Sequence, residues 1–128
     1  MQLAYSKSTI RPFADILEAV QAAASKRNFR TLHVHDVQAT LAEKGFEIGP
    51  YSIVEMCNAG FAHKVITVHK AVGMFLPCRI LLYADKGSTV VSLMLPTLIA
   101  EMMPAQDFQS IPADVEKLLK QVIDEVTA

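Results

Sequence analysis

Two apolar runs, residues 78–84 and 89–95, flank the polar stretch Asp85-Lys86-Gly87-Ser88. Gly87 frees the backbone for a tight reversal, so the segment reads as a β-hairpin. A hairpin imposes one antiparallel pair on whatever sheet the chain builds. If it closes at Lys86-Gly87, Ala84 faces Thr89 and Cys78 falls opposite Leu95. Cys78 then shares a face with Ile80, Leu82, Val91 and Leu93, and an unbroken apolar face belongs to a core.

The rest of the chain supplies strands and helices in alternation. Residues 1–6 alternate weakly and form a short strand. Ser8 or Thr9 offers a hydroxyl cap, Pro12 fits a first turn, and Phe13, Ile16, Leu17, Val20 and Ala24 keep helical spacing to about Arg27. A second strand covers residues 31–35. Asp36 caps a helix over 37–44, which Gly45 ends in the left-handed conformation, with Phe46 folding back. Tyr51–Cys57 is a third strand, and Asn58 caps a helix to about Lys70 that buries Phe61, Val65 and Val68. Residues 71–77 form an apolar loop containing Gly73. Pro96 opens a short helix with Leu98, Ile99, Met102 and Met103. The last helix, 112–126, carries Val115, Leu118, Leu119, Val122 and Val126 on one stripe.

The order β-α-β-α-β-α-β-β-α-α implies an α+β fold: one compact domain over 1–128, a mixed sheet of about five strands, and packed helices. With 128 residues there is room for one core. An apolar content of 52% excludes a disordered chain. The 12 basic and 13 acidic residues leave a net charge of −1, which argues against nucleic acid as the main partner. Polar Gln2, Ser6, Lys7, Ser8 and Arg11 leave no apolar signal-peptide core in the opening residues. The longest uncharged run, 87–100, is shorter than the roughly 20 residues of a membrane helix, and Pro96 interrupts it. A soluble, cytoplasmic protein is expected, with no membrane partner and with Cys57 and Cys78 as thiols.

Chemistry concentrates around Glu55-Met56-Cys57-Asn58. Cys57 ends a strand directly before a helix, whose terminal N–H groups favour a nucleophilic sulfur. Glu55, two residues back on the same strand face, works against this. A small buried thiol beside a capping Asn58 explains the same residues, and Cys78 has the same alternative as a core thiol. Glu55 is the one carboxylate in a strongly apolar strand. It can serve as a general acid or base, or pair with Arg79, and pairing is favoured because a lone buried charge is costly. His33 and His35 point to one strand face, a weak metal-ligand spacing against two ordinary surface histidines. His63 falls on the polar side of the third helix and His69 nearer its apolar side. No GxSxG, Gly-rich phosphate loop, HExxH or CxxCH is present, so no catalytic residue is assigned and an enzyme is not the first expectation.

The blocks Val54-Glu55-Met56-Cys57-Asn58, then Ala62, then 72–83 with Gly73 and Leu76-Pro77-Cys78, closely resemble the signature of a bacterial and archaeal family, number three hundred and two in the domain-of-unknown-function series. Ala59 stands where that family usually has Pro, and Leu95-Pro96 where it often has Asp-Pro. The resemblance implies one compact α+β domain, usually a homodimer, with no established activity. Members occur beside sulfur-oxidation and redox proteins. Residue match carries over Cys57, Asn58 and Cys78, with Gly73 and Pro77 shaping the loop between them.

Three functions compete. The first is a small dimeric, non-enzymatic binding module for an unknown ligand around the Cys-Asn and Leu-Pro-Cys segments, its apolar 71–77 loop lining a pocket or dimer seam. The second is a thiol-based sulfur carrier or redox protein using Cys57 or Cys78 with a sulfur-transfer partner. The third binds haem or a metal through His and Met or Cys; the cofactor itself is not specified. A right-handed β-α-β crossover would make strands three and four parallel, which predicts Cys57 and Cys78 at opposite ends, well over 10 Å apart.

Overall fold

The computed structural model describes residues 2–128. Its strands are β1 (Ala4–Thr9), β2 (Arg30–Asp36), β3 (Tyr51–Cys57), β4 (Cys78–Asp85) and β5 (Ser88–Met94). Its α-helices are α1 (Phe13–Ser25), α2 (Val37–Ala42), α3 (Ala59–Val68), α4 (Leu98–Met102) and α5 (Ile111–Thr127). The element order and the α+β class are those expected.

The hairpin closes as its sequence dictates. Ala84 pairs with Thr89 and Asp85 with Ser88, while Lys86 (φ 50°) and Gly87 (φ 83°) make the two-residue turn. Around it the sheet runs β1-β5-β4-β3-β2, and each of its four pairings is antiparallel. The expected parallel pairing of β3 with β4 is therefore corrected. The reason lies in residues 71–77, expected as a loop. They fall largely within a 3₁₀-helix, Lys70–Phe75, that reverses the chain after α3 and returns it to the end that β3 had just left. His69 starts that turn by accepting the Ala71 N–H on Nδ1, at 3.2 Å.

Alternation along the strands sends Val54 and Met56, Ile80 and Leu82, and Val91 and Leu93 to one face. There they meet Ile16 and Val20 of α1 and Leu119, Val122 and Ile123 of α5 in the main core. A second, smaller cluster of Val65, Val72, Ile99 and Phe108 sits below it, with Phe75, Leu76 and Met103 against it. The 71–77 segment is thus mostly packed within the chain; Met74, at 77% exposure, is the part left outside. The opposite sheet face carries half-buried Tyr51, Ile53, Leu81, Tyr83 and Val90.

Local departures have local causes. β1 extends to Thr9, so neither Ser8 nor Thr9 caps α1, which opens after Pro12 without a side-chain cap. α2 stops at Ala42, and Gly45 takes φ 83° so that the Phe46 N–H reaches the Leu41 carbonyl at 3.0 Å. The Phe46 ring remains 64% exposed, and Val68 is likewise exposed rather than buried.

Candidate functional site

Cys57 is the last residue of β3, and Asn58 then caps α3 by accepting the Phe61 N–H at 3.1 Å. Cys78 is the first residue of β4. In the register of these two strands Met56 lies directly opposite Cys78, so Cys57 is one residue beyond that pair, at the same end of the sheet. The expected separation of the two cysteines is overturned: antiparallel pairing puts both at one end of the sheet. Each is a free, half-buried thiol.

Cys57, Asn58, Pro77 and Cys78 line one small apolar cavity of about 40 Å³, closed by Phe29, Phe61 and Ile111 among others. Its volume suits about three water-sized groups rather than a drug-sized ligand. Burial pushes the Cys78 thiol up to about 11, the adjacent Cys57 adds to the rise, and Arg79 opposes it. Cys78 is therefore protonated at neutral pH.

Cys78 and Pro77 also border a larger groove of about 440 Å³. One wall is the end of the sheet, with Leu81, Ser92 and Met94. The other is Phe75 of the 3₁₀-helix together with Leu98 and Met102 of α4. This volume is that of a small-molecule site. Pro96 and Ile99 line both spaces, so the cavity and the groove are neighbours across Cys78.

The remaining predicted residues lie apart. Gly73 sits exposed in the 3₁₀-helix, and a side chain built there would meet nothing within 4 Å. Glu55 lies on the opposite sheet face from the core. Its Oε1 is 2.8 Å from His35 Nε2 and its Oε2 is 3.4 Å from Arg79 Nε. The hydrogen bond from His35 is the main reason that the Glu55 carboxyl titrates below its usual value; burial opposes the shift, and the Arg79 charge assists it. The pairing with Arg79 is as expected. Its His35 partner was missed, although His33 lies directly opposite Glu55 once β2 and β3 are in register.

The family model described as "Domain of unknown function DUF302" matches residues 5–126. The chain belongs to the DUF302 family. It is similar, at 29% identity and a TM-score of 0.91 over 100% of both chains, to the protein in "Crystal structure of uncharacterized conserved protein DUF302 from Bacillus stearothermophilus". No curated protein matches it.

Within this DUF302 chain the Cys-Asn and Leu-Pro-Cys blocks thus meet in space, although about twenty residues separate them in sequence. The sequence did not point to Met94, Leu98 and Met102 as groove residues. Apolar spacing alone marked Leu98 and Met102 as core, yet Met94 and Met102 are 51% and 59% exposed. Exposed methionines beside a buried leucine are the signal that would have found the groove. Among the described residues no three His, Cys, Asp or Glu side chains gather as metal ligands, and no helix is long and apolar enough to cross a membrane.

Proposed function

We propose that this DUF302 protein is a small, dimeric, non-enzymatic binding module that takes an apolar ligand in the groove beside Pro77 and Cys78. The groove itself carries this reading. A 440 Å³ concavity walled by Phe75, Leu81, Met94, Leu98 and Met102 offers apolar surface that water wets poorly. Flexible methionine side chains at its rim adapt to ligands of differing shape. Titration with the uncharged fluorophore N-phenyl-1-naphthylamine tests it. A saturable rise in emission at one probe per chain is expected. Met94→Lys and Met102→Lys, both at exposed positions, should each weaken it about tenfold, the effect of roughly 1.4 kcal/mol. No saturable binding, or binding indifferent to both substitutions, rejects the groove.

A second reading, a thiol-based sulfur carrier or redox protein, is favoured by one observation: Cys57 and Cys78 line the same cavity. The protonated state of Cys78 weighs against it, since the thiolate is the reactive form. If limiting alkylation labels neither cysteine in the folded protein, this second reading is rejected.

A further inference from the structure

The groove carries one charge. Of the residues that line it among those described, Arg79 is the one side chain of a charged type, and Ser92 is the only other polar side chain. We propose that the ligand is an amphipathic carboxylate, with its apolar body between the sheet end and α4 and its anionic head on the Arg79 guanidinium. This rests on the groove being the binding site.

The hydrogen-bonding geometry of Arg79 supports an anion there. Its Nε faces Glu55 Oε2 at 3.4 Å, and its side chain remains 48% exposed. A guanidinium has five N–H donors in a fixed fork, so the pairing through Nε leaves the terminal nitrogens for a second acceptor. Glu55 balances the charge of Arg79 through one oxygen, so an anion is drawn by the unpaired guanidinium N–H donors and not by net charge. The other Glu55 oxygen, Oε1, is held by His35 at 2.8 Å. Glu55 instead anchors the guanidinium at the groove rim, as a second carboxylate-binding partner requires.

Desolvation makes the same selection. A ligand seated in the groove strips water from Arg79. An uncharged ligand would leave those donors without partners, at a cost that offsets part of its apolar contacts. A carboxylate replaces the lost water with charge-assisted bonds. A cationic head would meet Arg79 as a like charge and be rejected.

Calorimetric titration with three probes of equal chain length tests this: decanoate, decan-1-ol and decyltrimethylammonium. Decanoate should bind at least tenfold more tightly than decanol, with the ammonium weakest. In Arg79→Gln the ratio of decanoate to decanol affinity should fall to near one, and in Arg79→Lys it should be partly restored. The comparison in the unsubstituted protein does not depend on any variant folding. Equal affinity for decanoate and decanol overturns the anionic head while leaving groove binding intact. A ratio unchanged by Arg79→Gln overturns the role of Arg79. Binding of none of the three overturns this inference and the apolar-ligand reading together.

Discussion

At the scale of single residues, the two cysteines differ in their surroundings despite being neighbours. Cys78 belongs to the core face of β4 and packs against the main core, and its thiol is held near 11. Roughly one molecule in ten thousand then carries a Cys78 thiolate at neutral pH. Cys57 stands one residue before Asn58, the cap of α3, where backbone N–H groups concentrate partial positive charge. Limiting iodoacetamide followed by peptide mapping should therefore label Cys57 first, with Cys78 modified only on unfolding or at strongly alkaline pH. Preferential labelling of Cys78 would contradict the burial argument, and labelling of Cys78 alone or of neither would sink the thiol reading built on Cys57. The core placement of Cys78 was legible in the sequence, because Ile80, Leu82, Val91 and Leu93 share its face whatever the fold. Its nearness to Cys57 was not, since a β-α-β segment of this length closes in either sense and only the packing of Val72 and Phe75 decides which.

At the scale of elements, the start of α3 has a position that suits proline. Ala59 occupies the first helical position, where proline's missing N–H costs nothing. Asn58 before it has φ −102° and ψ 112°, the extended conformation that a following proline enforces. Ala59→Pro should thus raise stability by about 0.5–1 kcal/mol, chiefly by restricting the unfolded chain, as a shift in urea midpoint at constant slope. Destabilisation would show that the Ala59 N–H has a role in the fold. The tie across β2, β3 and β4 has a pH signature. His35 and Arg79 hold the Glu55 carboxyl below its usual 4.5. Its stabilising contribution is present above the unfolded value and lost as pH falls through the lower folded one. The gap in urea midpoint between wild type and Glu55→Gln should be widest at about pH 7 and close towards about pH 3. A gap that persists in acid would locate the effect of Glu55 outside its ionisation. The Asn58 cap and the Glu55–Arg79 pair could be read from sequence because each needs one local or obvious partner. His35 could not, because its approach to Glu55 depends on a register shift between Thr31 and His33 in β2.

At the scale of the whole molecule, α1 and α5 cover one side of the sheet, and the composition of the other side bears on self-association. An antiparallel sheet with one wet face normally turns polar side chains towards water. Here Ile53, Leu81 and Val90 lie on that face beside the Glu55–His35–Arg79 tie, Leu81 also walling the groove, and the Tyr51 and Tyr83 rings stack across β3 and β4 at 5.9 Å between centroids. The 71–77 segment offers a dimer seam little fully exposed apolar surface beyond Met74, since Val72 is buried and Phe75 and Leu76 are half-buried against the smaller cluster. The sheet face takes over that argument. Five strands spaced about 4.8 Å apart, each about 20 Å long, present a face of roughly 500 Å² before side-chain relief is counted. That approaches the roughly 800 Å² each partner buries in a stable interface. A second copy of this chain matches such a face through a two-fold axis, which sets each patch against itself, and a net charge of −1 offers little opposition. Light scattering on a size-exclusion column should give twice the monomer mass at micromolar concentration. Ile53→Glu should yield monomers with an unchanged far-UV circular dichroism spectrum, because it places a charge on the apolar face that the seam would bury. A monomer for the unsubstituted protein, or a dimer that survives Ile53→Glu, would show that this face does not join the copies.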